Sequence, residues 1–234
     1  MPKLYKEEWK VYGDVFDKFT INTLQRLQLN HYYDELLSPV KVGKESNVFL
    51  ASRKDELIIV KIYRLESCDF NKMFEYIKYD ERYATLKRNR RRIIFAWVQR
   101  EFRNLMKARE AGVLCPTPIK FVNNILLESM IGKDSPAPTL KTEHPINKEK
   151  FFNQVIENMK KMQKTGLVHG DLSEYNILNH NDEPYFIDFS QATESKSSRY
   201  NELWQRDIHN ICRFFTKIGV KADEKSITRK IFEG

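Results

Sequence analysis

His169-Gly170-Asp171-Leu172-Ser173-Glu174-Tyr175-Asn176, followed by Ile187-Asp188-Phe189, decides how the rest of the chain is read. An aspartate is paired with an asparagine five residues on, and a second aspartate closes an apolar run twelve residues beyond that asparagine. Phosphoryl transfer from a nucleotide calls for these residue types. One carboxylate orients and deprotonates the attacking oxygen, while an amide oxygen and a second carboxylate hold Mg2+ on the phosphates. In that reading Asp171 is the catalytic carboxylate, and Asn176 and Asp188 are the metal ligands. Asp171 and Asn176 share one tight loop. Ile177-Leu178-Asn179 and Tyr185-Phe186-Ile187 read as two short strands turning at Asn181-Asp182, a hairpin that returns Asp188 to that loop. A polar turn and an ordinary strand would explain any one of these residues, but not all three behind His169.

At 234 residues the chain can bury a core of its own, as one domain or two small lobes. With 41% hydrophobic and 31% charged residues and no repeat, it reads as globular rather than disordered. Cys68, Cys115 and Cys212 lie far apart with no zinc spacing, which predicts free thiols in a reducing, cytoplasmic compartment. The start, Met1-Pro2-Lys3, has no apolar leader, and the longest apolar run, residues 93–98, is too short to span a bilayer, so no membrane association is expected. A net charge of +8 favours an anionic partner such as nucleic acid or a phosphorylated substrate.

Taken in order, residues 1–38 predict a helical extension: Phe16, Phe19, Thr23 and Leu27 recur at helical spacing and Ser38-Pro39 is the stop. Residues 42–50 place a turn with one glycine between two β-prone runs. Gly43, Lys44 and Ser46 there are either a phosphate-approaching backbone or a plain hairpin. Residues 57–63 read as a buried strand carrying Lys61, and a lysine in such a run needs a partner. Residues 93–109 predict a helix with Phe95, Val98, Phe102 and Leu105 as its apolar stripe. Glu101 beside that stripe is the expected partner of Lys61. The connection 65–92 reads as a long flexible loop ending in Arg82, Lys87, Arg88, Arg90, Arg91 and Arg92. With Tyr76, Tyr79 and Tyr83 it is either a surface for phosphate and base contact or a solvated face. Short strands at 119–122 and 125–127 turn at Asn123-Asn124, and Glu128-Ser129-Met130-Ile131-Gly132 leaves the sheet where a nucleotide hinge would lie. Helices are predicted at 147–164 and 201–218. Asp207, beside the apolar stripe of the second, is expected to accept N–H bonds from the catalytic loop. This organisation predicts an N-terminal extension (1–38), an N-lobe (39–131) and a C-lobe (132–234).

The protein-kinase signature H-R-D-L-x-x-x-N followed by D-F-G is the nearest template, with Gly170 in place of its Arg and Ser190 in place of its last Gly. No A-P-E segment follows Phe189, so the expected fold is α+β: a minimal two-lobed protein-kinase-like fold with a β-rich N-lobe and a helical C-lobe. The pieces Gly43-Lys44-Glu45-Ser46-Asn47-Val48, Lys61-Ile62-Tyr63-Arg64, Glu101-Phe102-Arg103-Asn104-Leu105, Pro136-Ala137-Pro138-Thr139-Leu140, the 167–176 run and Ile187-Asp188-Phe189-Ser190-Gln191-Ala192 together resemble the RIO family of atypical protein kinases, in its Rio1-type subfamily. The Ser-Glu-Tyr-Asn and Ser-Gln-Ala pieces are the specific ones, since aminoglycoside and choline kinases share H-G-D…N with I-D-F.

The resemblance implies that Lys61 contacts the ATP phosphates and that the backbone of Ser129 and Ile131 holds adenine. Asp171 would be catalytic, and Asn176 and Asp188 would bind Mg2+, with Mn2+ as an alternative. Family members are serine/threonine autokinases that also act as ATPases through an aspartyl-phosphate at the position of Asp188. They serve in late maturation of the small ribosomal subunit, so rRNA and ribosomal proteins are the implied partners of a monomer. Segment 65–92 matches the family's flexible loop and autophosphorylation region, with Ser67 and Thr85 as candidate acceptors. The short ends imply an archaeal-type member without a winged helix. Glu128 departs from the family, which is usually apolar there, and a carboxylate behind adenine needs a partner. Two other readings stand beside this one. A small-molecule phosphotransferase would want an acidic acceptor pocket after the I-D-F motif, where Lys196, Arg199 and Arg206 accompany Glu194 and Glu202. A catalytically silent, nucleotide-dependent RNA-binding factor is opposed by intact Lys61, Asp171, Asn176 and Asp188.

Overall fold

The run Glu56–Tyr63 (β3) is built almost entirely of branched and aromatic residues, and seven of its eight positions are buried or half-buried. In a computed structural model that describes residues 16–233, it is the middle strand of an antiparallel sheet with Glu35–Val42 (β1), Ser46–Arg53 (β2), Pro118–Val122 (β4) and Ile125–Ser129 (β5), in the order β1-β2-β3-β5-β4. Side chains alternate across a strand. Ile58, Val60 and Ile62 therefore face one way, into a core with Leu24 and Leu27 of helix Lys18–Leu29 (α1), while Ile59, Lys61 and Tyr63 face the other. That alternation points Lys61 away from α1 and toward the rest of the molecule.

The helical part of the extension ends earlier than its sequence predicts. Asp17 caps the start of α1 and Asn30 its end, and residues 35–42 are strand. Ser38-Pro39 is no helix stop, because β1 is the outer strand of the sheet, where a residue without an N–H is tolerated. The register slips on both sides of Pro39. The part of the extension before residue 16 lies outside the described residues.

Segment 65–92 also differs from expectation. It holds a helix, Phe70–Ile77 (α2), and a 3-10 turn, Glu81–Tyr83, each capped by an aspartate. Met73, Tyr76 and Ile77 follow a helical period and are buried against helix Arg90–Glu110 (α3), with Tyr76 edge-on to Trp97 at 5.8 Å. Tyr76 and Tyr83 are thus core residues, and Tyr79 is the exposed tyrosine of the three. The basic run is partly spoken for as well: Arg88 and Arg90 stack on Phe74 and Phe70, and Arg82 pairs with Asp80 at 2.6 Å.

The second half is helical around a larger core. Helix Lys148–Lys164 (α4) stops before Gly166, and the short strand Leu167–Val168 (β6) leads into the 169–176 loop. Strands Ile177–His180 (β7) and Glu183–Phe186 (β8) pair through a two-residue turn with both Asn181 (φ 54°) and Asp182 (φ 61°) left-handed, the geometry that suits strand twist. Strand Thr193–Glu194 (β9) returns to pair with β6, and helix Tyr200–Lys217 (α5) follows. A last helix, Glu224–Phe232 (α6), buries Ile227 and Ile231; its single turn and a half of apolar signal was too short to read from sequence. The α+β expectation is met. Among the described residues no helix is long and apolar enough to cross a membrane, and all three cysteines are free and buried.

Candidate active site

Gly43, Lys44, Ser46, Lys61, Ser129, Ile131, Asn176 and Asp188 line one cleft of about 450 Å3 between the sheet and the β7–β8 hairpin. The other two residues singled out in the sequence stand just behind it. Glu101 is buried beneath Lys61, and Asp171 lies beyond Asn176 on the same loop.

Lys61 is the junction of the site. Its Nζ lies 2.8 Å from Glu101 Oε1 and 3.0 Å from Asp188 Oδ1, and the Tyr63 hydroxyl donates to Glu101 Oε2. Burial disfavours the lysine's charge, but the carboxylates of Asp188 and Glu101 outweigh it and raise its pKa well above the ordinary value. Asp188 is the converse. Desolvation opposes its ionisation, yet Lys61 and the Ser190 hydroxyl, which donates to Oδ1 at 2.6 Å, hold its carboxyl well below the usual range.

Asp188 has φ 64°, a left-handed backbone that a residue with a Cβ adopts only when its surroundings compel it. The surroundings are explicit. Asn104 Nδ2 donates to the carbonyls of Phe189 (3.1 Å) and Ala192 (2.8 Å), and Arg100 donates to the Ser190 carbonyl (2.6 Å) and Thr193 Oγ1 (2.9 Å). Burial lowers the His169 pKa to about 4, so the ring is neutral and donates Nε2–H to the Ile187 carbonyl at 3.0 Å. Arg100 is itself 1% exposed and is neutralised by Asp80 of segment 65–92 at 3.1 Å. Sequence reading missed Arg100, Asn104 and Asp80. Their signal was the run of polar residues 100, 101 and 104, which share one side of α3 by helical spacing.

The 169–176 loop is held from below. Asp207 of α5, fully buried, accepts from the backbone N–H of Gly170 (2.8 Å) and Leu172 (2.9 Å), the contact expected from sequence. Burial pushes its pKa up to about 7 against those two N–H donors. A Cβ at Gly170 (φ 76°) would stand 2.8 Å from the Gln191 carbonyl, so the two loops approach too closely for the arginine of the kinase template. Asn176 Nδ2 donates to the Asp171 carbonyl (2.8 Å) and to its Oδ2 (3.3 Å). Burial, and then Asp188, raise the Asp171 pKa. Gly43 closes the β1–β2 turn, where an added Cβ would meet Ser46 O at 2.9 Å.

Glu128 sits opposite Ile59 on the cleft side of the sheet, 8% exposed, and no hydrogen-bond partner among the described residues reaches its carboxyl. Burial, reinforced by Glu101, pushes its pKa up to about 8. An unfolded glutamate ionises near pH 4. The native state therefore binds more protons between these values, and stability falls as pH rises through that window. Glu128→Gln, which cannot ionise, is expected to gain in Tm relative to the parent chain as pH is raised from about 5 to about 8. A Tm difference that stays constant across the window would mean that the carboxyl is already ionised in the fold.

A sequence model of the RIO domain matches residues 47–227. The chain belongs to the RIO family. It is 41% identical over 229 residues to the RIO-type serine/threonine-protein kinase Rio1 of Methanocaldococcus jannaschii, covering 97% of this chain and 79% of that protein. To the protein of the same name from Haloferax volcanii it is 35% identical, covering 94% and 77%. These relatives make it a Rio1-type member. Its fold matches the Rio2 kinase of Chaetomium thermophilum with a TM-score of 0.67 at 20% identity, covering 89% of this chain and 66% of that one. The ADP/Mg2+-phosphoaspartate complex of the same kinase matches equally, over 90% and 66%.

Proposed function

We propose that this Rio1-type protein is an ATP-dependent serine/threonine protein kinase with ATPase activity. The observation that carries the reading is the convergence of Lys61, Asn176 and Asp188 on one cleft, with Asp171 tied to Asn176 and Glu101 to Lys61. Ile131 N–H, outside any strand, has no intramolecular acceptor among the described residues, so it is free to meet the adenine ring beside the Ser129 carbonyl. The Gly43–Ser46 turn covers the phosphates and Lys61 engages them. Asp171 takes the proton of the attacking hydroxyl, a task its raised pKa favours.

The donor set fits Mg2+. Asn176 commits its amide nitrogen to Asp171, which leaves Oδ1 for a cation, and Asp188 adds a carboxylate kept ionised by Lys61. Among the described residues no three His, Cys, Asp or Glu side chains form a cage, as suits a hard ion shared with phosphate oxygens. When bound, Mg2+ neutralises charge developing on the transferred phosphoryl group.

The phosphoaspartate in the similar Rio2 structure supports a second step here. An Asp188 carboxylate oxygen bonds to the γ-phosphorus as the bond to ADP breaks, and water then releases inorganic phosphate. The exposed Ser67 and Thr85 are the candidate acceptors for autophosphorylation, and the net charge of +8 suits rRNA and ribosomal proteins of a maturing small subunit as cytoplasmic partners of a monomer. The test incubates pure protein with Mg2+ and γ-labelled ATP and divides bound label into acid-stable and hydroxylamine-labile fractions. Label on the protein is expected, with the labile fraction absent in Asp188→Asn. Transfer to a small alcohol or amino sugar with no label on protein would overturn the reading.

A further inference from the structure

Glu128 is a buried polar group on the cleft that the proposed chemistry leaves unused. It immediately precedes Ser129, lies on the same face of the sheet as Lys61 and Ile59, and borders the cleft with its carboxyl unbonded. The residue is 8% exposed, and the cleft that it lines is where its carboxyl can meet a donor or acceptor. The charged groups around it are Glu101 on α3, Lys61 on β3 and Asp188 at the end of the hairpin, and Lys61 is already bonded to both of those carboxylates. The missing partner must therefore come from what enters the cleft.

We propose that Glu128 is a specificity-determining residue that selects purine nucleotides carrying a 6-amino group over those carrying a 6-oxo group. The proposal rests on the nucleotide reading above. With a purine against the backbone of Ser129 and Ile131, the side chain just before Ser129 meets the 6-substituent and N7. A 6-amino group donates to the carboxyl whether or not the carboxyl is protonated. A 6-oxo purine offers two acceptors, its 6-oxygen and N7, to a carboxyl with at most one O–H, so at least one buried pair is left acceptor against acceptor, the situation that disfavours binding. With its pKa raised to about 8, the carboxyl also keeps an O–H to offer N7. It then presents the donor and acceptor pair with which Asn and Gln read adenine.

The test measures dissociation constants of ADP and inosine diphosphate, with Mg2+, for the parent chain, Glu128→Gln and Glu128→Leu by calorimetry. The expected result is that Glu128→Leu lowers the ratio of the two constants by about tenfold or more, while Glu128→Gln, with the same donor and acceptor pattern, keeps the parental ratio. Because backbone contacts contribute equally in all three proteins, the change in ratio isolates the side chain. An unchanged ratio in Glu128→Leu, with ADP still bound, would overturn this proposal and leave the nucleotide reading standing. Failure of the parent chain to bind ADP would overturn both.

Discussion

Replacing Asp171 by asparagine is expected to slow phosphoryl transfer from ATP by about 10³-fold, within the range for loss of a positioned general base, while ADP still binds. The loop keeps its shape in this variant. Gly170 and Leu172 are tethered by Asp207, and Asn176 still donates to the backbone carbonyl of residue 171. What disappears is a carboxylate able to accept a proton. Single-turnover kinetics with labelled ATP, paired with ADP binding, separate the two effects. A loss below about tenfold would place acceptor deprotonation on another group.

Asp80→Ala is expected to destabilise the fold by about 3–5 kcal/mol, a drop in Tm of about 10 °C for a chain of this size. Asp80 carries the charge balance of a buried cation. Arg100 is 1% exposed, and with Asp80 gone its nearest charged neighbour is another arginine, Arg82. Burial opposes ionisation of Asp80, but its bonds to Arg82 and the charge of Arg100 hold its pKa below the ordinary value, as expected of a committed partner. The double variant Asp80→Ala/Arg100→Leu removes the stranded charge, so it should unfold at a higher temperature than Asp80→Ala alone. If instead the two changes add, the pair is not a unit and the argument fails. Thermal unfolding of the three proteins decides it.

Where one residue type carried a physical demand, the sequence was legible. A lysine in a buried strand needed a carboxylate, and Glu101 is there at 2.8 Å. Asn181-Asp182 could turn only as a tight hairpin, and both are left-handed. An aspartate beside an apolar stripe needed donors, and Asp207 found two N–H groups. Legibility failed where a residue's meaning depends on its neighbours in space. Pro39 breaks helices and inner strands alike, and only its place on the sheet edge makes it strand. Segment 65–92 read as a loop because of its length and its basic end, yet Met73, Tyr76 and Ile77 suffice for a helix once α3 offers a surface. Arg100 and Asn104 went unread because three of their acceptors are backbone carbonyls and the others lie far away in the sequence, which no local pattern marks.

Arg100 and Asn104 sit on the helix that carries Glu101, and they grip the loop that starts at Asp188. The helix and the loop are thereby one mechanical piece, with Lys61 wedged between its two carboxylates. Swinging the helix outward would tear the bonds to Phe189, Ser190, Ala192 and Thr193 together. Groups already held in place by these bonds need less ordering when a nucleotide arrives, which lowers the cost of binding. Any event that drew the helix away from the cleft would have to break these four bonds at once.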